Sequence, residues 1–206
     1  MTENDTYQVD YIELVAAILL GFGAVAIAWS TYQAALWGGI QDEGYTESVR
    51  EASNAVDLLQ AADRISALDQ LLFVELRLSG VCEEGEQADP VACERVVASM
   101  SDAGQGALAA WPGDDSSPFE SQAYAEELYG PGEAARVTSD EFFQEAGEAN
   151  ENGDNHELAA TILTAVLFFA GIAAVMDDRR IGWALIVVSG VLLTAGIAYS
   201  ATLPLA

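Results

Sequence analysis

Few side chains in this sequence offer chemistry. His156 is the only histidine, Cys82 and Cys93 are the only cysteines, and all seven cations are Arg, set against 33 Asp and Glu. A lone imidazole becomes a catalyst when a nucleophile or a metal stands beside it, and no Ser or Cys here lies in a nucleophile-elbow context. Gly21-Phe-Gly23 and Gly38-Gly39 lack the surroundings of a phosphate loop. The nearest approach to a calcium loop, Asn150-Glu-Asn-Gly-Asp-Asn-His-Glu157, has Gly153 before the acid Asp154 instead of after it. One His and two Cys do not furnish four zinc ligands in any usual pattern. The reading is therefore not an enzyme, with no cofactor and no metal, and with His156 as an interfacial residue. Cys82 and Cys93 flank the polar loop 83–90. In an oxidising exterior they suit a disulfide, which stabilises by roughly 2–3 kcal/mol through the unfolded ensemble, whereas a reducing compartment would leave two thiols.

The elements that would carry these residues are apolar and long. Residues 158–176 and 181–199 are each 19 residues without a charge, separated by Asp177, Asp178, Arg179 and Arg180. At 1.5 Å per residue each spans about 28 Å, close to the thickness of a bilayer's hydrocarbon core. Apolar residues occupy every face, so neither reads as the amphipathic helix of a soluble protein. Residues 14–40 are also uncharged, and a first span is placed at 12–30 after an acidic tail, 1–11. Glu3, Asp5 and Asp10 stand where a signal peptide would carry positive charge. Trp29, Tyr32, Gln33, Trp37 and Gln41 then form a polar-aromatic cluster at one interface, and Trp183 and Tyr199 mark the two ends of the third span.

Arg179 and Arg180 set the orientation, because Lys and Arg in short loops favour the cytoplasmic side. The turn 177–180 and the N-terminus are then cytoplasmic, and residues 31–157 and the tail 200–206 are extracytoplasmic. Glycan on the sequon Asn4-Asp-Thr6 would invert this arrangement.

Net charge is −26 and Lys is absent. Nucleic acid is excluded as a partner, since phosphate binding needs cations this chain lacks, and an anionic membrane surface would repel it. Acidic, Ala-rich, Lys-free composition resembles that of extreme halophiles, where molar salt screens the self-repulsion over a few ångströms. A calcium-binding surface lacks its loop. A disordered acidic tail conflicts with the apolar periodicity of the middle of the chain.

That periodicity places Leu58, Ala61, Ile65, Leu68, Leu72 and Leu76 on one buried stripe of a helix ending at Gly80, with possible bends at Gly38-Gly39 and Gly44. A second, weaker helix is expected over 93–110, interrupted at Gly104 and Gly106. Loop 114–118, a short helix 119–129 and a turn at Gly130-Pro-Gly132 follow. Thr138-Ser-Asp-Glu141 has the capping-box spacing, predicting a helix start there, and Asn152-Gly-Asp-Asn155 a break. Ala17-xxx-Gly21, Ala24-xxx-Ala28, Ala170-xxx-Ala174 and Gly196-xxx-Ser200 would let helices approach closely. The fold class read from all this is all-α: three transmembrane helices with an elongated helical extracytoplasmic domain.

Trp29-Ser-Thr-Tyr-Gln-Ala-Ala-Leu-Trp-Gly-Gly-Ile-Gln41, together with the C-terminal apolar hairpin, resembles a group of uncharacterised prokaryotic membrane proteins with one span, a helical domain and two further spans. The resemblance implies a layout; it carries no activity, cofactor or functional residue. No ionisable side chain lies deep in a span, which argues against active transport within one subunit. The sequence thus points to a non-catalytic interaction or assembly subunit in the lipid bilayer, with a protein partner or a homo-oligomer. An oligomeric channel is the first alternative and a surface sensor the second.

Overall fold

A computed structural model describes residues 11–83, 85–113 and 116–206. Most of the predicted tail 1–11, with the Asn4 sequon, lies outside the described residues, as do Glu84 of the loop 83–90 and Asp114 and Asp115 of the loop 114–118. The fold is all-helical, 85% helix, with no strand among the described residues. Among the described residues five α-helices, α1 (Tyr11–Ser79), α2 (Pro90–Val97), α3 (Asp102–Ala110), α4 (Gln122–Val175) and α5 (Arg179–Ser200), are joined by short connections that include a 3-10 turn, Pro118–Glu120. Three of them, α1, α4 and α5, are long and apolar enough to cross a membrane, their best 18-residue windows having mean hydropathy 2.2, 2.4 and 2.2.

Proline placement explains much of this. None occurs before Pro90, so nothing in α1 removes a backbone donor, and the helix is continuous through Gly38-Gly39 and Gly44. It stops at Gly80, whose φ of +66° needs a residue without Cβ, and whose N–H closes the last turn on Leu76 O at 3.3 Å. Asp89, Ser101 and Asp178 cap α2, α3 and α5 through their side-chain oxygens.

Several expectations fail in the return path. The weak helix 93–110 is two helices, parted at residues 98–101 and not at its glycines. The short helix 119–129, the turn at Gly130-Pro-Gly132, the capping-box start at Thr138 and the break at 152–155 are all absorbed into α4. Pro131 is exposed, so the carbonyl it leaves unpaired can meet water, while Gly132 is buried. A Cβ on Gly132 would lie 2.7 Å from Leu59 Cδ2 and Cγ: the glycine is there for helix packing, not for a turn. Thr138 bonds back within the helix to Ala134 O at 3.1 Å, and its neighbour Ser139 donates to Ser48 O at 2.9 Å.

The chain divides into two compact units, Thr46–Phe143 and the remainder, Met1–Tyr45 with Gln144–Ala206. In Thr46–Phe143, α1 and α4 run antiparallel, since Ser48 meets Ser139, Leu59 meets Gly132, Asp63 meets Tyr129 and Asp69 meets Tyr124. The buried seam of α1 here is Ala55, Ala62, Ser66, Asp69 and Leu76. This corrects the predicted stripe: Leu58, Ile65 and Leu68 are exposed, and of that stripe only Leu76 is fully buried. The small side chains Ala55, Ala62 and Ser66 let α4 come close, so the fold uses the small-residue face and leaves the large one open.

In the other unit, the first part of α1 packs with the last part of α4 and with α5. Ile12, Ala16, Ala173 and Ile186 form a core cluster. Gly23 faces Leu167 and Gly196 faces Leu163, where an added Cβ would stand 2.9 and 2.8 Å from side-chain carbons. Of the small-residue pairs, Ala170 and Gly196 are buried, whereas Ala17, Gly21, Ala24 and Ala28 are exposed and make no close helix contact.

Candidate functional site

The membrane-capable unit is an inverted bundle that turns large apolar side chains outward and keeps several polar ones inside. Its interior holds Ser30, Gln33, His156 and Ser189, each at most 3% exposed, beside Ala, Gly and the buried Ile12, Leu163, Val166 and Ile186, while Phe22, Val25, Phe168, Val187 and Val191 are each more than 60% exposed. Water favours the opposite distribution. Ser30, Gln33 and His156 gather where the C-terminal residues fold back on the bundle, whereas the Ser189 hydroxyl is buried without a partner among the described residues. Ala206 N donates to Gln33 Oε1 at 3.1 Å, and Pro204 O accepts from Trp37 Nε1 at 3.3 Å and from His156 Nε2 at 3.0 Å. A carbonyl only accepts, so His156 Nε2 carries the donated proton, and Nδ1 is buried without a hydrogen-bond partner among the described residues. Tyr199 donates to Asn155 Oδ1 at 3.0 Å, and the Ser30 and Ser200 hydroxyls are 3.4 Å apart.

This arrangement brings together Gln33, Trp37 and Tyr199 from the sequence-selected interfacial residues and adds His156. The sequence reading put His156 at an interface, whereas it is fully buried, 0% exposed. The Trp29 and Tyr32 rings lie 6.3 Å apart, tilted by 43°, on the exposed side of α1. Gln41 is half-buried and outside the hydrogen bonds to the tail. Trp183 is 41% exposed near the start of α5. Beside the tail lies a groove of ≈ 550 Å³ whose lining includes Phe22, Val25, Trp29, Leu163 and Leu205. Such a lining suits a hydrocarbon chain and offers no charged anchor for a polar metabolite. Arg179 and Arg180 are exposed in the first turn of α5, behind the Asp178 cap, which accepts from Arg180 N at 2.8 Å.

Thr46–Phe143 has a polar centre that the sequence reading missed. Asp69 is 1% exposed. Its Oδ1 accepts from Ser101 N at 2.8 Å, and its Oδ2 from Ser101 Oγ at 2.5 Å and from Tyr124 Oη at 3.1 Å. Ser101 Oγ in turn accepts from Gly104 N at 2.9 Å, and a Cβ at Gly104 would lie 2.6 Å from Asp69 Oδ2. Burial first, and then the Asp69 carboxylate against an opposing hydrogen bond from Ser66, pushes the Tyr124 phenol up to about 12. Tyr124 therefore remains a donor across the neutral range. One carboxylate joins α1, the start of α3 and the start of α4. Phe73 continues the joint, edge-on to Trp111 at 5.3 Å and to Phe119 at 5.7 Å. A buried acid with three donors and no cation is a structural tie, with no reacting atom presented to solvent. The signal for it was spacing: Asp69 falls on the small-residue seam with Ala62 and Ser66.

Cys82 and Cys93 are joined as a disulfide, Cα–Cα 5.2 Å, tying the loop after α1 to α2. The 150–157 segment, weighed as a cation loop, is helical throughout, with Asn150 bonded to Asp154. No protein-family model matches the chain, and neither does any curated protein or solved structure.

Proposed function

We propose that this is a three-span, multi-pass membrane protein that serves as a non-catalytic interaction or assembly subunit. Its N-terminus faces the cytoplasm and residues 31–157 form a salt-adapted extracytoplasmic domain. The observation that carries the reading is the inverted bundle: Ser30, Gln33, His156 and Ser189 inside, large apolar side chains outside. Lipid is the solvent in which that distribution is favourable. The Cys82–Cys93 bridge supports an oxidising location for the domain between the first and second spans. The exposed pair Arg179 and Arg180 supports a cytoplasmic turn between the second and third.

Two measurements test the proposal. In intact cells an impermeant thiol reagent labels Cys82 and Cys93 only after reduction; labelling that requires lysis as well puts this domain on the other face. Extracted in mild detergent at molar salt, the protein runs as a complex of more than one chain. A single-chain particle at every concentration refutes the assembly role.

A further inference from the structure

Leu68 of the stripe expected in the core is exposed, and it belongs to a second row of residues on α1. Along the last part of α1, positions 57, 61, 64, 68, 71, 75 and 78 repeat at alternating steps of four and three, the spacing of a two-helix seam. They hold Asp57, Ala61, Arg64, Leu68, Leu71, Glu75 and Leu78. Leu68, Leu71 and Leu78 are 59, 66 and 83% exposed. Arg64 and Glu75 are exposed too, and neither makes an ion pair among the described residues. The opposite side of the same helix is the buried seam around Ala62, Ser66 and Asp69, so this tract is covered on that side and carries three exposed leucines on the other. A row of exposed leucines on an otherwise acidic domain marks an interaction surface.

We infer that the uncovered seam is an isologous interface, and that its occupant is the same tract of a second copy of this chain, packed antiparallel. The argument is the order of the charges. With a two-fold axis crossing α1 between residues 69 and 70, Arg64 faces the second copy's Glu75, Leu68 faces Leu71, and small Ala61 faces large Leu78. Every layer occurs twice, as two-fold symmetry requires. A parallel pairing would instead stack Arg64 on Arg64 and Glu75 on Glu75, which opposes that register. An unrelated partner would have no reason to match a seam that is complementary to its own reverse. The pairing is a property of residues 61–78. The inference names the partner in the assembly role proposed above and so rests on that reading.

The test uses the full-length protein in mild detergent at molar salt, with mass read by light scattering and helix content by circular dichroism. Wild type is a dimer, and Leu68→Glu with Leu71→Glu is a monomer of unchanged helix content. Arg64→Glu alone weakens the dimer by about tenfold in Kd, and adding Glu75→Arg restores it to within about twofold of wild type. A wild-type monomer, a dimer indifferent to the leucine pair, or a double charge swap that fails to restore association overturns the inference. Recovery bound to a different chain without self-association overturns it while leaving the assembly role standing; a single chain with no partner overturns both. If the leucine variant loses helix content, the charge-swap pair, which leaves the apolar seam intact, decides.

Discussion

Removing the Asp69 carboxylate should loosen three elements at once. In Asp69→Ala, Ser101 N–H, Ser101 Oγ–H and Tyr124 Oη–H lose their acceptor, Tyr124 in a buried position and Ser101 in a half-buried one. Each stranded donor costs about 1–3 kcal/mol, and the Ser101 hydroxyl can turn elsewhere, so the expected loss is about 3–4 kcal/mol. That is a large share of the roughly 5–15 kcal/mol that stabilises an ordinary domain. Hydrogen–deuterium exchange on the full-length protein in detergent and molar salt reads it locally: amides of α3 and of the first turns of α4 lose about two orders of magnitude of protection. Amides of α5, which lies outside Thr46–Phe143, do not change. Asp69→Asn keeps an acceptor for Ser101 N and hydroxyls that can reverse, so its loss is about 1–2 kcal/mol. A fall of less than about threefold in α3 for Asp69→Ala would refute the claim that this carboxylate ties the three helices together.

Gly132→Ala drives a Cβ to within 2.7 Å of Leu59 and lowers thermal stability by about 1–3 kcal/mol, whereas Gly147→Ala, in open space on the same helix, raises it by about 0.5–1 kcal/mol. Equal effects at the two sites contradict the packing described for α4. Because burial raises the Tyr124 phenol from 10.0 to about 12, its contribution is complete below the usual phenol value and is lost as pH climbs through the interval between those two values. Alkaline unfolding followed by circular dichroism therefore steepens there in wild type and flattens in Tyr124→Phe. Reduction of the Cys82–Cys93 bridge lowers stability by about 2–3 kcal/mol, read as a shift in the denaturation midpoint, with the helices retained.

Helix type and the three long apolar segments were legible in the sequence because length and uniform apolarity leave little competition. Helix ends were legible where a single residue decides, as at Gly80. They were not legible at Gly130-Pro-Gly132 or Thr138, where turn chemistry spoke for a break and long-range packing against Leu59 and Ser48 prevailed. The rotation of the α1 seam was missed for a related reason. Side-chain size alone favours the Leu-rich face, but the face with Ala55, Ala62 and Ser66 permits the closer helix pair. Asp69 looked like one acid among 33; only the positions of Ser101 and Tyr124, 32 and 55 residues away, distinguish it. The tail contacts of Gln33, Trp37 and His156 likewise depend on pairings more than 40 residues apart, which no local pattern encodes.

The central claim is that the inverted bundle is built for lipid, and membrane extraction tests it most directly. Membranes from cells producing the full-length chain are washed with alkaline carbonate and then with mild detergent, and the protein is followed by immunoblot. The account predicts that it stays in the carbonate pellet and is released by detergent alone. Release by carbonate as a monodisperse, detergent-free species would contradict it.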